Sequence, residues 1–411
     1  MGFLAINGGA PVKENIGSYA KWPVGNEKIA ESAIDVLNSG IWGTLGPKCA
    51  EFAEKYAKYT QSGYCLPVLN GTVSLELILR ALEIGRGDEV IVPPYTFSAT
   101  ISAVIITGAM PVFADIDPDT YTISPESAEK FVTSKTKAII GVHLGGNVFD
   151  VDKITAVAKK HGLYIIEDAA HAHGSEWSGK RVGSLGDAGA FSFQETKNLP
   201  SGEGGAVTTS SRDLYERLWS VHNNGRAFGE HGYFHPVLGT NARMGEWQAA
   251  MLLGGLERLD NDIIRRTENA EYLDKEFKAF PFLEPMKKNI NETRNSCHLY
   301  VFKYKKDGLD DIPRGIFMDA LNAENVCIAS AGYSSPIYET DMMYNGEFKK
   351  ITGRKFTNPK DHMPNNETAA YFEGMWIYHS YLLGEKSDMD KILEAMEKIY
   401  RHRDELKRRC E

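Results

Sequence analysis

The stretch AGAFSFQETKNLPSGEGGAVTT, residues 188–209, sets the reading of the whole chain. An apolar run, Ala188–Phe193, leads into Lys197, a glycine-rich turn and a second apolar run, Ala206–Thr209. Runs this short, bounded by turn residues, read as buried strands. Towards the N-terminus the same pattern recurs at Glu89–Val92, Pro111–Ile116, Ala138–Val142 and Leu163–Ile166. Helical patterns such as Val73–Leu82 and Asp152–Lys160 lie between them. Buried strands separated by helices predict an α/β fold, a mostly parallel sheet with helices on both faces in three αβα layers. In such sheets ligands gather beyond the carboxyl ends of the strands.

Further out, Asn26–Leu37 reads as an amphipathic helix with Ile29, Ala33, Val36 and Leu37 on one side, stopped by Gly40. A second helix is expected around Ala50–Tyr59. Beyond the sheet, Glu246–Leu259 and Asn261–Phe280 read as two helical stretches. A mixed tail follows, with His298–Tyr304 among its apolar segments. The expected division is a large domain over residues 1–255 and a smaller C-terminal α/β domain over 256–411, joined by a long helix.

The chain has 411 residues, 42% hydrophobic and 25% charged, with a net charge of −9. That is ordinary globular composition. Without a long basic run, neither nucleic acid nor an anionic membrane is an expected partner. Lys407-Arg408-Arg409 reads as a solvated helix end. No apolar run approaches the roughly 20 residues of a membrane span, and the first residues do not form a secretory signal. The five cysteines are scattered, with no metal-ligand spacing. A reduced, cytoplasmic setting is expected, where the three Asn-X-Thr patterns carry no meaning.

Three motifs sit where chemistry is expected. Asn70-Gly71-Thr72 opens the helix Val73–Leu82, whose free N–H groups attract an anion. Taken singly, it is as well explained by a plain helix cap. Ile165-Ile166-Glu167-Asp168-Ala169-Ala170-His171 ends an apolar strand in two carboxylates, one of which can pair with a buried cationic nitrogen. Lys197 follows the third strand end beside Ser201-Gly202-Glu203-Gly204-Gly205. Desolvation there lowers an amine's pKa and makes it nucleophilic. Phe97, in Pro93-Pro94-Tyr95-Thr96-Phe97, offers a ring to stack on a planar ligand. Anion site, acid and lysine occur in the order a pyridoxal 5′-phosphate (PLP) site requires. No metal is expected.

These motifs, with INGGAPV, GDEVIVPPYTF, PVFADID, TKAIIGVHLGG, EDAAHAHGS, FSFQETKNLPSGEGG and GTNARMGEWQAA, resemble the DegT/DnrJ/EryC1/StrS sugar aminotransferases along nearly the whole chain. The resemblance implies the PLP transferase fold of type I. It implies that Lys197 holds PLP as a Schiff base and moves the proton, and that Asp168 pairs with the ring nitrogen. It also implies that Gly71, Thr72 and Ser192 hold the phosphate and that Phe97 stacks on the ring. Asn241 matches a residue that reaches the neighbouring subunit's phosphate, which implies a homodimer with shared sites. Arg243 is a candidate substrate contact, with a structural salt bridge as the alternative.

His171 stands where many nucleotide-sugar members have Gln. With Phe191–Gln194 and Trp376–Leu383 it is closer in look to the 3-amino-5-hydroxybenzoate synthases and inosose aminotransferases. His171 is a candidate contact to the cofactor's phenolic oxygen. His143 and His379 are candidates for the substrate side, although ordinary packing is the reading their context favours. The expected activity is transfer of an amino group from glutamate or glutamine to a cyclic ketone or keto-sugar. Synthase-type dehydration and aromatisation, and a nucleotide-linked ketosugar acceptor, stand as alternatives. A cofactor-holding regulator without turnover is disfavoured by the intact Lys197 and Asp168.

Overall fold

The structure is a computed structural model that describes residues 2–15, 21–230 and 233–410. Its centre is a seven-stranded sheet in the order β1-β9-β8-β5-β4-β2-β3. These strands are β1 (Tyr64–Val68), β2 (Glu89–Val92), β3 (Met110–Phe113), β4 (Thr136–Val142), β5 (Tyr164–Asp168), β8 (Ala188–Ser192) and β9 (Gly205–Thr209). The short β6 (Glu176–Trp177) and β7 (Lys180–Arg181) stand apart from it. Strands β3, β2, β4, β5 and β8 run parallel, and β9 is antiparallel to both β8 and β1.

The apolar runs lack alternation because both faces are covered. Val90, Val92, Ile140 and Ile166 pack under α3 (Gly71–Ala81), α4 (Ser98–Ile106) and α7 (Arg212–His222). Their neighbours Ile91, Ile139 and Ile165 face α2 (Pro47–Tyr59), α6 (Val151–His161) and α8 (Glu246–Phe277) on the other side. Full burial of each such side chain stabilises the fold by about 1.5–3 kcal/mol. The expected αβα layering is the one observed. Strand β1 is not apparent from the sequence because Pro67 interrupts it; an edge strand tolerates that missing donor.

Local signals set the helix ends. In α1 (Glu27–Ser39) the Asn26 side chain accepts from the Ile29 N–H at 2.8 Å, and Gly40 ends the helix at φ 68°. The two helical stretches expected around residue 260 are one helix of 32 residues, about 48 Å long at 1.5 Å per residue. Asp260 does not cap a new helix. Its carboxylate points outward and binds the Tyr59 hydroxyl at 2.9 Å and Arg294 at 2.8 Å.

The second body is built on an antiparallel sheet of four strands, β10 (Leu283–Pro285), β12 (Leu299–Tyr304), β14 (Gly374–Tyr378) and β13 (Ala329–Ser330). A further strand, β11 (Glu292–Arg294), pairs with β6 of the large body. The 255/256 division falls inside α8, and two segments cross it. Leu4 is buried in the C-terminal core, where Glu324 accepts from the Ala5 and Val12 N–H groups at 3.0 Å each. Conversely, Tyr338, Phe348, Phe356 and Met363 pack into the core of the large sheet.

Candidate active site

The carboxyl ends of β1, β2, β4, β5 and β8 open at one edge of the sheet, and the predicted residues meet there. At the start of α3 the Asn70 side chain caps the Val73 N–H at 2.9 Å. The N–H groups of Gly71 and Thr72 lie in the first turn, which has no intrahelical acceptors. Gly71 abuts Ser192: a Cβ at residue 71 would lie 2.7 Å from the Ser192 Cβ. Gly205 in turn lets β9 pass behind Asn70, since its Cβ would come within 2.4 Å of the Asn70 carbonyl carbon. Backbone donors and the Ser192 hydroxyl thus stand side by side, a cradle suited to a phosphate.

Asp168 ends β5. Its Oδ2 accepts from the Thr100 hydroxyl at 2.7 Å and its Oδ1 from the Ala170 N–H at 3.3 Å. Burial nevertheless holds its pKa above the ordinary carboxylate value. Glu167 points the other way. It accepts from the N–H groups of Gly183, Leu185 and Gly186 at 2.8–2.9 Å, and its Oε2 lies 3.1 Å from His143 Nε2. His143 is 0% exposed and stacks on Phe149 at 4.6 Å, a packed position just beyond β4.

Lys197 lies in a turn beyond β8, its N–H bonded to the Gln194 carbonyl at 2.8 Å. Burial lowers its pKa to about 8, with Asp168 opposing the shift. Three groups from outside the sheet pin this turn. Trp22 Nε1–H donates to the Glu195 carbonyl at 3.0 Å, and His379 Nε2–H donates to the Thr196 carbonyl at 2.9 Å. Asn198 donates to the Ser296 carbonyl at 2.8 Å, and its Oδ1 accepts from His298 Nδ1 at 3.2 Å. His379 is buried, and its bond to the Thr196 carbonyl braces the lysine turn.

The rings of His171 and His298 are 4.3 Å apart, and His298 and His379 are 5.4 Å apart. Burial first, and the charge of Lys197 with it, holds all three well below the ordinary histidine pKa. His171 Nδ1 accepts from the Gly145 N–H at 3.4 Å, leaving Nε2 to carry its proton. Phe97 precedes α4 and is 61% exposed, an open ring face near the thread of Thr96 and Thr100.

Asn241 and Arg243 lie on a segment bridged to Asn223 and Val68. The Asn241 side chain is exposed and makes no hydrogen bond among the described residues. Arg243 donates to Asn223 Oδ1 at 2.8 Å, and its Nε is buried without a partner. No carboxylate pairs with it among the described residues.

His298, Asn198, Thr100 and Trp22 are site residues that the motifs did not reveal. The arrangement fits PLP by its donor set: an anion cradle, an acid for a ring nitrogen, a desolvated amine and an exposed aromatic face.

Residues 23–372 match the DegT/DnrJ/EryC1/StrS aminotransferase family. The chain is 35% identical to an L-glutamine:2-deoxy-scyllo-inosose aminotransferase of Micromonospora echinospora, covering 99% of this chain and 100% of that protein. Among solved structures, 3-amino-5-hydroxybenzoic acid synthase superposes with a TM-score of 0.84 at 30% identity, covering 92% of this chain and 99% of the synthase. DesI, solved in the presence of its TDP-sugar product, also gives 0.84 at 30% identity, with 99% of both chains covered.

Proposed function

The chain belongs to the DegT/DnrJ/EryC1/StrS aminotransferase family, and on that basis we propose that it moves an amino group from glutamine or glutamate to an inosose-type cyclic ketone. The observation that carries the chemistry is the half-buried, low-pKa amine of Lys197 near the buried carboxyl of Asp168 at one sheet edge. The acceptor class is supported by the full-length likeness to an inosose aminotransferase.

In this reading PLP, when bound, supplies an electron sink for the substrate carbon. The start of α3 and Ser192 bind its phosphate, Phe97 covers one ring face, and His171 Nε2–H donates to its phenolic oxygen. Asp168 holds a proton at the ring nitrogen, oriented by Thr100. Lys197 anchors the cofactor and moves the proton at the substrate Cα, a task suited to an amine with a pKa near working pH. Arg243 takes a substrate carboxylate. We also read the active unit as a homodimer in which the partner's Asn241 segment completes the cradle. The same loop exposes Tyr233, Phe234 and Leu238, which supports a covered role.

A two-stage assay tests the function. The protein is loaded with PLP, converted with glutamine or glutamate, then offered inososes, keto-sugars and nucleotide-linked ketosugars while the cofactor absorbance is followed. Recovery with inososes supports the reading. Recovery only with nucleotide-linked ketones would move the chain towards DesI-like chemistry, and an aromatised product would move it towards the synthase.

A further inference from the structure

His298 precedes β12, and its position is locked from two sides. The preceding residue, Cys297, has a left-handed backbone (φ 48°), held by its N–H bond to Asn295 Oδ1 at 2.8 Å. The His298 Nδ1 faces Asn198 Oδ1, and the Asn198 amide nitrogen already donates to Ser296. Nδ1 therefore carries the proton, and Nε2 is left as a lone-pair acceptor. No donor reaches that atom among the described residues, although the side chain is only 4% exposed. His298 also lies within electrostatic reach of Lys197 and 4.3 Å ring to ring from His171. Burial and these neighbours keep it uncharged. An open acceptor near the reacting amine, with the ring proton committed elsewhere, is matched by an uncharged donor on a ligand.

We propose that His298 is a specificity-determining residue whose Nε2 accepts a hydrogen bond from a ring hydroxyl of the cyclic acceptor. The inference rests on the acceptor class proposed above. A carboxamide N–H of glutamine has the same donor chemistry, and the two half-reactions separate these sources. An acceptor lone pair at this position also repels a carboxylate, so it discriminates between uncharged and anionic groups.

His298→Asn is the informative variant. Its amide nitrogen can take the place of Nδ1 towards Asn198, whereas nothing replaces Nε2. The PLP-loaded wild type and variant are converted with glutamine, and the amine-loaded forms are then titrated with scyllo-inosose and its mono-deoxy analogues. The expected result is a loss of about 10- to 100-fold in acceptor rate over KM that clearly exceeds the loss in the glutamine half-reaction. One deoxy analogue should impose a similar loss on the wild type and little further loss on the variant. If the variant ranks the analogues as the wild type does, the assignment is overturned. A loss confined to the glutamine step places the lone pair on the donor amide instead. Equal loss in both steps with a shifted cofactor spectrum reduces His298 to a support of the lysine turn. A wild type that accepts no inosose overturns the acceptor class itself, a failure distinct from that of His298.

Discussion

Glu167 and Asp168 are adjacent in the chain and serve opposite faces of the sheet. Asp168 meets the Thr100 hydroxyl on the side of α4, and Glu167 gathers the N–H groups of residues 183, 185 and 186 on the other. The two-residue period of a strand separates them, so their substitutions should fail in different assays. Glu167→Ala strands three donors, that of Gly183 buried and those of Leu185 and Gly186 half-buried, and should lower unfolding free energy by about 3 kcal/mol, read by urea denaturation. Asp168→Asn should leave the fold and PLP binding intact and slow transamination by about 10²- to 10³-fold. Near-normal turnover in Asp168→Asn would remove that residue from the chemistry.

Lys197 should be the residue that borohydride labels with a pyridoxyl group, as peptide mapping would reveal. Its pKa is lowered from the ordinary lysine value to about 8. Only the neutral amine attacks the cofactor's aldehyde, so capture of PLP by the free protein should be slow below pH 8 and rise through it to a plateau. For the cofactor-free protein the linkage has the same direction. The folded state binds fewer protons than the unfolded one between the two pKa values, so this group's contribution to stability rises with pH across that window. A capture midpoint near 10.5 would contradict the desolvation of Lys197.

Gly71→Ala should lower PLP affinity at least about tenfold and cost about 1–3 kcal/mol of stability. The added Cβ lies 2.7 Å from Ser192 Cβ, and neither element can yield without opening the cradle. Fluorescence titration with PLP and thermal unfolding check the two effects. A variant with wild-type affinity would mean that the phosphate sits elsewhere.

His379→Ala should slow the donor and acceptor half-reactions alike, by about tenfold, without changing the ranking of acceptors. The reason is that His379 grips the Thr196 carbonyl next to Lys197, a contact both half-reactions share. A selective effect on one acceptor would return His379 to the substrate wall.

Subunit complementation tests the shared site. Lys197→Ala protein is mixed with a variant changed at both Asn241 and Arg243. Each heterodimer then holds one site with all three residues intact, so activity should reappear as subunits exchange. Verified exchange without activity, or an active protein that sediments as a monomer, would place Asn241 outside the site.

The residues that the sequence marked best are those fixed by strand ends. Lys197, Asp168 and Ser192 each follow or end a run whose burial is legible from composition, and a parallel sheet gathers such ends at one edge; Gly71 is marked instead by its place at a helix start. His143 is buried against Phe149, and the pattern of a fully buried sheet hides which face such a residue serves. The helix α8 reads as two stretches because the polar residues 260–262 interrupt its apolar pattern, and Asp260 serves there as a partner for Arg181 and Arg294. His298 and Asn198 are 100 residues apart and meet only through the packing of the second body on the first. No local pattern announces such a pair.

The docking of Leu4–Val12 around Glu324 bears on how the chain is made. Glu324 is fully buried; besides the two backbone donors it meets Lys398 Nζ at 2.6 Å, while Phe3 N–H reaches Glu405 at 2.8 Å. The segment leaves the ribosome long before its receptor. At about 5–20 residues per second, it waits roughly 20–80 s for the residues that will bind it. During that interval the large sheet has its strands and α8 can form, but Leu4 has nothing to cover it. Nascent chains released before residue 398 would carry a finished sheet and an undocked leading segment, giving proteases a handle on incomplete products.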